Sequence, residues 1–194
     1  MDEPVGRFAP GGPERRGAQG KVQRAVDRST GGEVALKRPV DLEPAAVAGF
    51  LREASLLASV RHPAVVAHVD HGVDPVLGPF LATAWVEGVT LAERVGDARL
   101  TPDDLAPLGA RLADGLAALH AAGICHGDVQ PANVMLAGDG APVLLDLGLS
   151  GRRGPPGPGA ARGTAGFVAP EVILGGRLEP ASDVFGLGAL LWFA

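Results

Sequence analysis

The sequence predicts an α+β protein, strand-rich over about residues 1–86 and mainly helical from about residue 91. Three patterns carry that reading. Val34-Ala35-Leu36-Lys37 alternates with period two, as a half-buried strand does. From Glu43 to Val60, the apolar residues Val47, Phe50, Ala54, Leu57 and Val60 recur every three or four positions and make one helix face. Leu105, Leu108, Leu112, Leu116 and Leu119 form a second such stripe.

In chain order, Gly17-Ala18-Gln19-Gly20-Lys21-Val22 is a glycine-bearing turn whose backbone could approach phosphates. The strand at 34–37 puts Ala35 and Lys37 on one face, and the helix after it stops at His62-Pro63. Apolar runs at Val65–Val69 and Phe80–Val86 predict further strands, and residues 84–90 form a hinge. Thr101 can cap the next helix, Pro102 fits its first turn, Asp104 completes a capping-box-like arrangement, and Gly123 suits its exit. Short strands around Val134–Leu136 and Val143–Leu145 follow, then a Gly/Pro/Arg-rich loop and an apolar segment from Val184. A junction between two such lobes is a common place for a ligand cleft.

Composition narrows the classes. Hydrophobic residues make up 46% and charged ones 20%, which suits a soluble globular protein with a core. Glycine (29) and proline (17) crowd into residues 4–20 and 151–163, which predicts a mobile loop in each stretch. The net charge of −5 offers no broad basic surface and argues against a nucleic-acid partner. The single cysteine, Cys125, excludes an internal disulfide and a multi-cysteine metal site, and reads as a small buried apolar residue. No signal peptide opens the chain and no run of about 18 apolar residues could span a bilayer, so a cytoplasmic chain without a membrane segment is expected.

Phosphoryl transfer from ATP needs positioning and charge neutralisation more than covalent chemistry. Four devices would supply it, and each has a candidate here. Lys37 on its strand could grip phosphates, held by Glu53 from the neighbouring helix. Asp128 in His126-Gly127-Asp128 could orient and deprotonate an acceptor hydroxyl. Asn133 and Asp146 could hold magnesium, which favours carboxylate and amide oxygens. The turn at Gly17 and Gly20 is the fourth device.

The segments VALK, FLREASLLASVRHPAVV, HGDVQPANVML, LLDLGLS, GTAGFVAPE and SDVFGLG stand in the same order as in the protein kinase family, which the chain therefore resembles over most of residues 17–188. The resemblance implies a bilobal kinase-like fold and an ATP- and Mg2+-dependent serine/threonine kinase whose substrate is a protein. It implies that Lys37 contacts the α- and β-phosphates and pairs with Glu53, that Asp128 is the catalytic base, and that Asn133 and Asp146 bind magnesium. Val22, Ala35 and Met135 would sandwich adenine, the backbone of Ala84 and Val86 would bond its edge, and Thr83 would gate the back of the pocket. Leu57, His126 and Leu147 would stack as a spine anchored by Asp183, with His126 packed rather than titrating. Glu171 would brace the substrate-receiving segment.

Four departures from the family pattern stand out. Arg15 replaces the first glycine of the phosphate loop. Gln130 stands where a lysine near the γ-phosphate is usual; its amide can still donate, so the resemblance implies slower transfer rather than none. Gly127 replaces the arginine before the catalytic aspartate, and only Ser150 and Thr164 carry hydroxyls between Asp146 and Glu171, so switching by phosphorylation of that segment is expected to be absent or unusual. Arg152, Arg153 and Arg162 read as a solvated basic loop. Finally, the chain stops at Ala194 inside an expected anchoring helix, so the resemblance implies an incomplete catalytic domain over 1–194. Leu187, Leu190, Leu191, Trp192 and Phe193 are expected to lack part of their cover. Two alternatives stay open: a small-molecule phosphotransferase of the aminoglycoside type, which His126-Gly127-Asp128 also resembles, and a pseudokinase that binds nucleotide without transfer.

Overall fold

The computed structural model describes residues 6–17, 20–146 and 166–194. The leucine spacing, caps and strand alternation are realised as nine strands and five α-helices among these residues, divided into two compact units. The first comprises the chain up to Val60 together with Ala67–Trp85; the second comprises Arg61–Val66 and Val86–Ala194.

In the first unit, β1 (Phe8–Pro10), β3 (Gly20–Asp27), β4 (Glu33–Arg38), β6 (Gly78–Ala84) and β5 (His68–Asp74) lie side by side in that order, all antiparallel, with β2 (Arg15–Gly17) pairing with β3. The alternation of β4 is real. Val34 and Leu36 are buried with Phe8, Ala25, Phe80 and Ala82 in one apolar cluster, while Ala35 and Lys37 take the opposite face. Helix α1 (Pro44–Leu57) packs against β5 and β6 and buries Phe50, Ala54 and Leu57; it ends before Val60, which is buried as well, and Val47 is half-buried. The stretch 4–20 is not only loop: β1 and β2 fall inside it, because Phe8 is an apolar anchor, 2% exposed, against Phe80. Arg7 seals this edge, donating from Nε and Nη2 to the two oxygens of buried Asp27 at 2.9 and 2.6 Å. That fork, with Ser29, holds the Asp27 carboxyl well below the usual carboxylate range.

The second unit is built on α3 (Pro102–Ala121). The expected cap is present: Asp104 N–H donates to Thr101 Oγ1, and Thr101 N–H to Asp104 Oδ2 at 3.1 Å. Leu108, Leu112, Leu116 and Leu119 are buried, and Leu105 half-buried. Around α3 stand β7 (Gly88–Thr90), α2 (Leu91–Asp97), β8 (Val134–Ala137), β9 (Pro142–Leu144), α4 (Pro170–Ile173) and α5 (Pro180–Phe193). Strands β7, β8 and β9 form a second antiparallel sheet.

Three expectations change. The run Val65–Val69 is not a strand of the first sheet: Val65 and Val66 run beside β9, with Val66 N–H donating to Leu144 O at 3.0 Å, and β5 begins only at His68. A buried backbone takes whichever ladder satisfies its groups, and here that is β9. Leu187 and Leu190 are covered, 8% and 0% exposed, because α5 packs on α3; the apolar residues left open at this end are Trp192 and Phe193. Cys125 is half-buried rather than buried. Leu147, Ser150, Thr164, Arg152, Arg153 and Arg162 lie outside the described residues.

Candidate active site

The residues expected to act on phosphate and acceptor fall into two groups, one in each unit. In the first unit, Val22 and Lys37 are direct cross-strand partners, and Ala35 faces Thr83 across β4 and β6. Val22, Ala35, Lys37 and Thr83 therefore share one sheet face, opposite the apolar cluster. Lys37 is only 6% exposed, and Glu53 on α1 has one carboxylate oxygen shut off from solvent. A buried ammonium and a screened carboxylate oxygen in one unit are the two charges that the expected pair requires. Gly17 and Gly20 face each other at the end of the β2–β3 ladder. At Gly20 a Cβ would stand 2.7 Å from Arg38 O, so no larger residue fits that backbone approach. Ala84 uses its N–H on Ala67 O at 2.8 Å, so an adenine bond at this residue falls to its carbonyl.

In the second unit one short segment, Asp128-Val-Gln-Pro-Ala-Asn133, brings three of the expected site residues together. Pro131 holds Gln130 extended, at φ −151° and ψ 161°. Val129 turns inward and is 3% exposed, while half-buried Asp128 and Gln130 meet on the other side. A 3₁₀ turn over Pro131–Asn133 then brings the chain back. As a result Gln130 Nε2 donates to Asp128 Oδ1 at 2.8 Å, and Asn133 Nδ2 donates to Asp128 Oδ2 at 2.7 Å and to Asp128 O at 2.9 Å. Both carboxylate oxygens of Asp128 are thus held by neutral amides.

Behind this segment lies a buried polar frame. Asp183 of α5 accepts from His126 N–H and Gly127 N–H, both at 2.8 Å, and from His120 Nε2 at 2.8 Å. His126 is 0% exposed; its Nε2 donates to Leu145 O at 2.9 Å and its Nδ1 accepts from Asp128 N–H at 3.3 Å. Those partners fix a neutral imidazole protonated on Nε2, and burial pushes its pKa below the ordinary value, outweighing the nearby carboxylates of Asp183, Asp128 and Asp146. His126 is therefore a packed linker, as the sequence suggests. Gly127 sits at φ +76°, and Leu178 fills the space beside it.

Asn133 and Asp146 carry the amide and carboxylate oxygens that magnesium favours. With its nitrogen on Asp128, Asn133 presents an amide oxygen as the remaining side-chain donor. Leu145 N–H donates to Asn133 O at 2.8 Å, which ties the chain just before Asp146 to this turn. Asp146 is exposed and takes φ +39°, the only described non-glycine residue with positive φ. A strained backbone at a carboxylate is a frequent mark of a working site. Met135 on β8 is half-buried and pairs with Thr90 and Val143, and half-buried Val86 precedes β7. Glu171 accepts from Ser182 Oγ at 2.8 Å, a partner the sequence did not suggest.

The model of the protein kinase domain family matches residues 16–194, so this chain belongs to the protein kinase family. Its relatives sort further. It is similar to a probable serine/threonine-protein kinase of Streptomyces coelicolor, 35% identical, over 99% of this chain and 31% of the relative. It is likewise similar to the probable serine/threonine-protein kinase PkwA of Thermomonospora curvata, 36% identical over 100% of this chain and 28% of that protein. The serine/threonine-protein kinase PkaA of S. coelicolor is 36% identical over 99% of this chain and 37% of its own length. The chain thus spans roughly a third of the length of the curated relatives it matches. Among the described residues no helix is long and apolar enough to cross a membrane.

Proposed function

We propose that this chain carries the catalytic function of a serine/threonine protein kinase, transferring the γ-phosphate of ATP to hydroxyls of protein substrates. The observation that carries the reading is the Asp128 carboxylate, held on both oxygens by Gln130 and Asn133 in a loop that Asp183 braces. A carboxylate fixed in orientation is what a base for an acceptor hydroxyl requires. In the transfer, the acceptor oxygen bonds to the γ-phosphorus, the bond to the β–γ bridging oxygen breaks, ADP leaves, and the hydroxyl proton passes to Asp128.

The first unit would supply the nucleotide groups: Gly17 and Gly20 for backbone approach, Lys37 with Glu53 for the α- and β-phosphates, Val22 and Ala35 for adenine, and Ala84 for its edge. The second would supply Met135 and Val86 for adenine, and Asn133 and Asp146 for magnesium, with Gln130 beside Asp128. Bound there, magnesium would neutralise phosphate charge. We read residues 1–194 as one catalytic domain, its N-lobe near 1–86 and its C-lobe from 91. Use of ATP supports a cytoplasmic setting.

The test is incubation with magnesium and γ-labelled ATP, with and without casein, beside Asp128→Asn. Label on serine or threonine that vanishes in the variant supports the reading. A folded protein that binds nucleotide and labels nothing is a pseudokinase, and label on an aminoglycoside alone points to the small-molecule class.

A further inference from the structure

We infer that Gln130 is a positioning residue for Asp128, acting on transfer through the orientation of that carboxylate rather than through a contact with ATP. The inference rests on the reading of Asp128 as the proton acceptor. Gln130 occupies the place where the sequence comparison leads one to expect a cation near the phosphate, yet its amide nitrogen lies 2.8 Å from Asp128 Oδ1. Asn133 Nδ2 lies 2.7 Å from the other oxygen. The terminal torsion of an aspartate is broad, so a carboxylate held at one oxygen still swings. Donors on two oxygens stop that rotation and leave defined lone pairs for the acceptor proton.

The geometry comes from sequence. Pro131 denies Gln130 the helical region and keeps it extended, at φ −151° and ψ 161°. Val129 between the two is buried while Asp128 and Gln130 are half-buried, so the amide and the carboxylate stand together on the side away from it. Val129 pins the segment from the opposite side, 3% exposed and packed against Gly186. Both clamping groups are neutral. A lysine at position 130 would both orient Asp128 and draw on its charge; a glutamine does only the first. The consequence is a base oriented on both oxygens by neutral amides.

Three readouts separate this role from a phosphate contact and from a merely structural one. In Gln130→Ala, kcat falls about 10- to 100-fold, the size of one hydrogen bond to a charged group. The ratio of affinities for MgATP and MgADP, measured by calorimetry, stays within about twofold, because nothing that touches the γ-phosphate has been removed. In Gln130→Glu, which keeps the length of the side chain and removes the donor, kcat falls as far as in Gln130→Ala while the KM for ATP stays within about twofold. A drop in the ATP-to-ADP affinity ratio in Gln130→Ala would show a phosphate ligand and overturn the inference. So would an unchanged kcat in both variants accompanied only by a lower melting temperature.

A fourth measurement does not depend on activity. The side-chain amide resonance of Gln130 in the otherwise unaltered protein shifts when Asp128 becomes Asn, since its acceptor has changed. An unshifted resonance overturns the clamp whatever the kinetics. If the resonance shifts while the protein labels no acceptor at all, the clamp stands and it is the kinase reading that fails.

Discussion

The Asp183 carboxylate caps the backbone of His126 from the neighbouring helix: Asp183 Oδ2 accepts the His126 N–H at 2.8 Å, in a place where the aspartate is 2% exposed and the histidine 0%. The loop that presents Asp128 is therefore suspended from α5 by its main chain, with Gly127 N–H on the other oxygen. Asp183→Ala orphans both backbone donors, at about 1–3 kcal/mol each. Asp183→Asn keeps one acceptor and turns an amide toward the other donor. Urea unfolding should show both variants destabilised, Ala by at least about 2 kcal/mol, with kinase activity lost in parallel. An Asp183→Ala protein as stable as the parent would refute the suspension.

His126 gives a pH prediction with a definite sign. Burial lowers its pKa in the folded state below the reference of 6.5, so below that pH the unfolded chain binds a proton that the folded chain refuses. Stability then rises with pH through this window and is lost as pH falls below about 6.5, by at most about 1.4 kcal/mol per pH unit from this residue. Chemical denaturation between pH 7.5 and 5 should show the decline. His126→Gln, which keeps a hydrogen-bonding side chain without the titration, should flatten it even though its stability at pH 7.5 is lower. An equal slope in both proteins would assign the acid sensitivity elsewhere.

Much of this was legible beforehand, and unevenly so. Thr101, Pro102 and Asp104 announce their helix because capping is local chemistry, and the alternation of Val34 to Lys37 announces its strand for the same reason. Asp128, Asn133 and Asp146 were visible as a spaced set. What the sequence hid is non-local. Val65 and Val66 look like any strand, and only the position of β9 decides which partner they take. Phe8 makes a strand of a glycine- and proline-rich stretch because Phe80, distant in sequence, covers it. The Gln130–Asp128 bond is local and could have been anticipated from the proline that follows Gln130, had pre-proline geometry been combined with period-two projection.

Gly127 is held by backbone and not by space alone. Its φ of +76° is a left-handed conformation, and a Cβ built on it would stand 2.8 Å from Leu178 Cδ2. The leucine tip can move aside; the dihedral cannot be relieved so simply. Gly127→Ala should cost about 1–2 kcal/mol. Leu178→Ala in the same background should recover little of it, because the backbone strain remains. Gly127→Arg, which restores the residue common in the family, should destabilise by a similar amount and should not make activity depend on phosphorylation of the 146–171 segment. Denaturation midpoints and a phosphatase-treated kinase assay check the two halves. A Gly127→Arg protein that is fully stable and becomes phosphatase-sensitive would show that the glycine is a regulatory substitution rather than a conformational requirement.

Asp146 combines a backbone demand with a chemical one, and two substitutions separate them. At φ +39° the residue occupies a region that asparagine and aspartate tolerate better than other side chains. Asp146→Asn therefore preserves the local conformation, and its unfolding midpoint should lie close to that of the parent. It removes the carboxylate that would hold magnesium, and charge neutralisation of phosphate by a metal contributes several kcal/mol to transfer. The kcat should thus fall about 100-fold or more, with a higher magnesium requirement. Asp146→Ala loses the carboxylate as well and adds conformational strain of about 1 kcal/mol, so its activity should match that of Asn while its stability does not. Magnesium titrations of ATP binding and of phosphotransfer, run on the same two proteins, read the two effects separately. If Asp146→Asn kept full activity at the parent's magnesium concentration, the ion would have to be held without this carboxylate, and the positive φ would be a property of the turn alone.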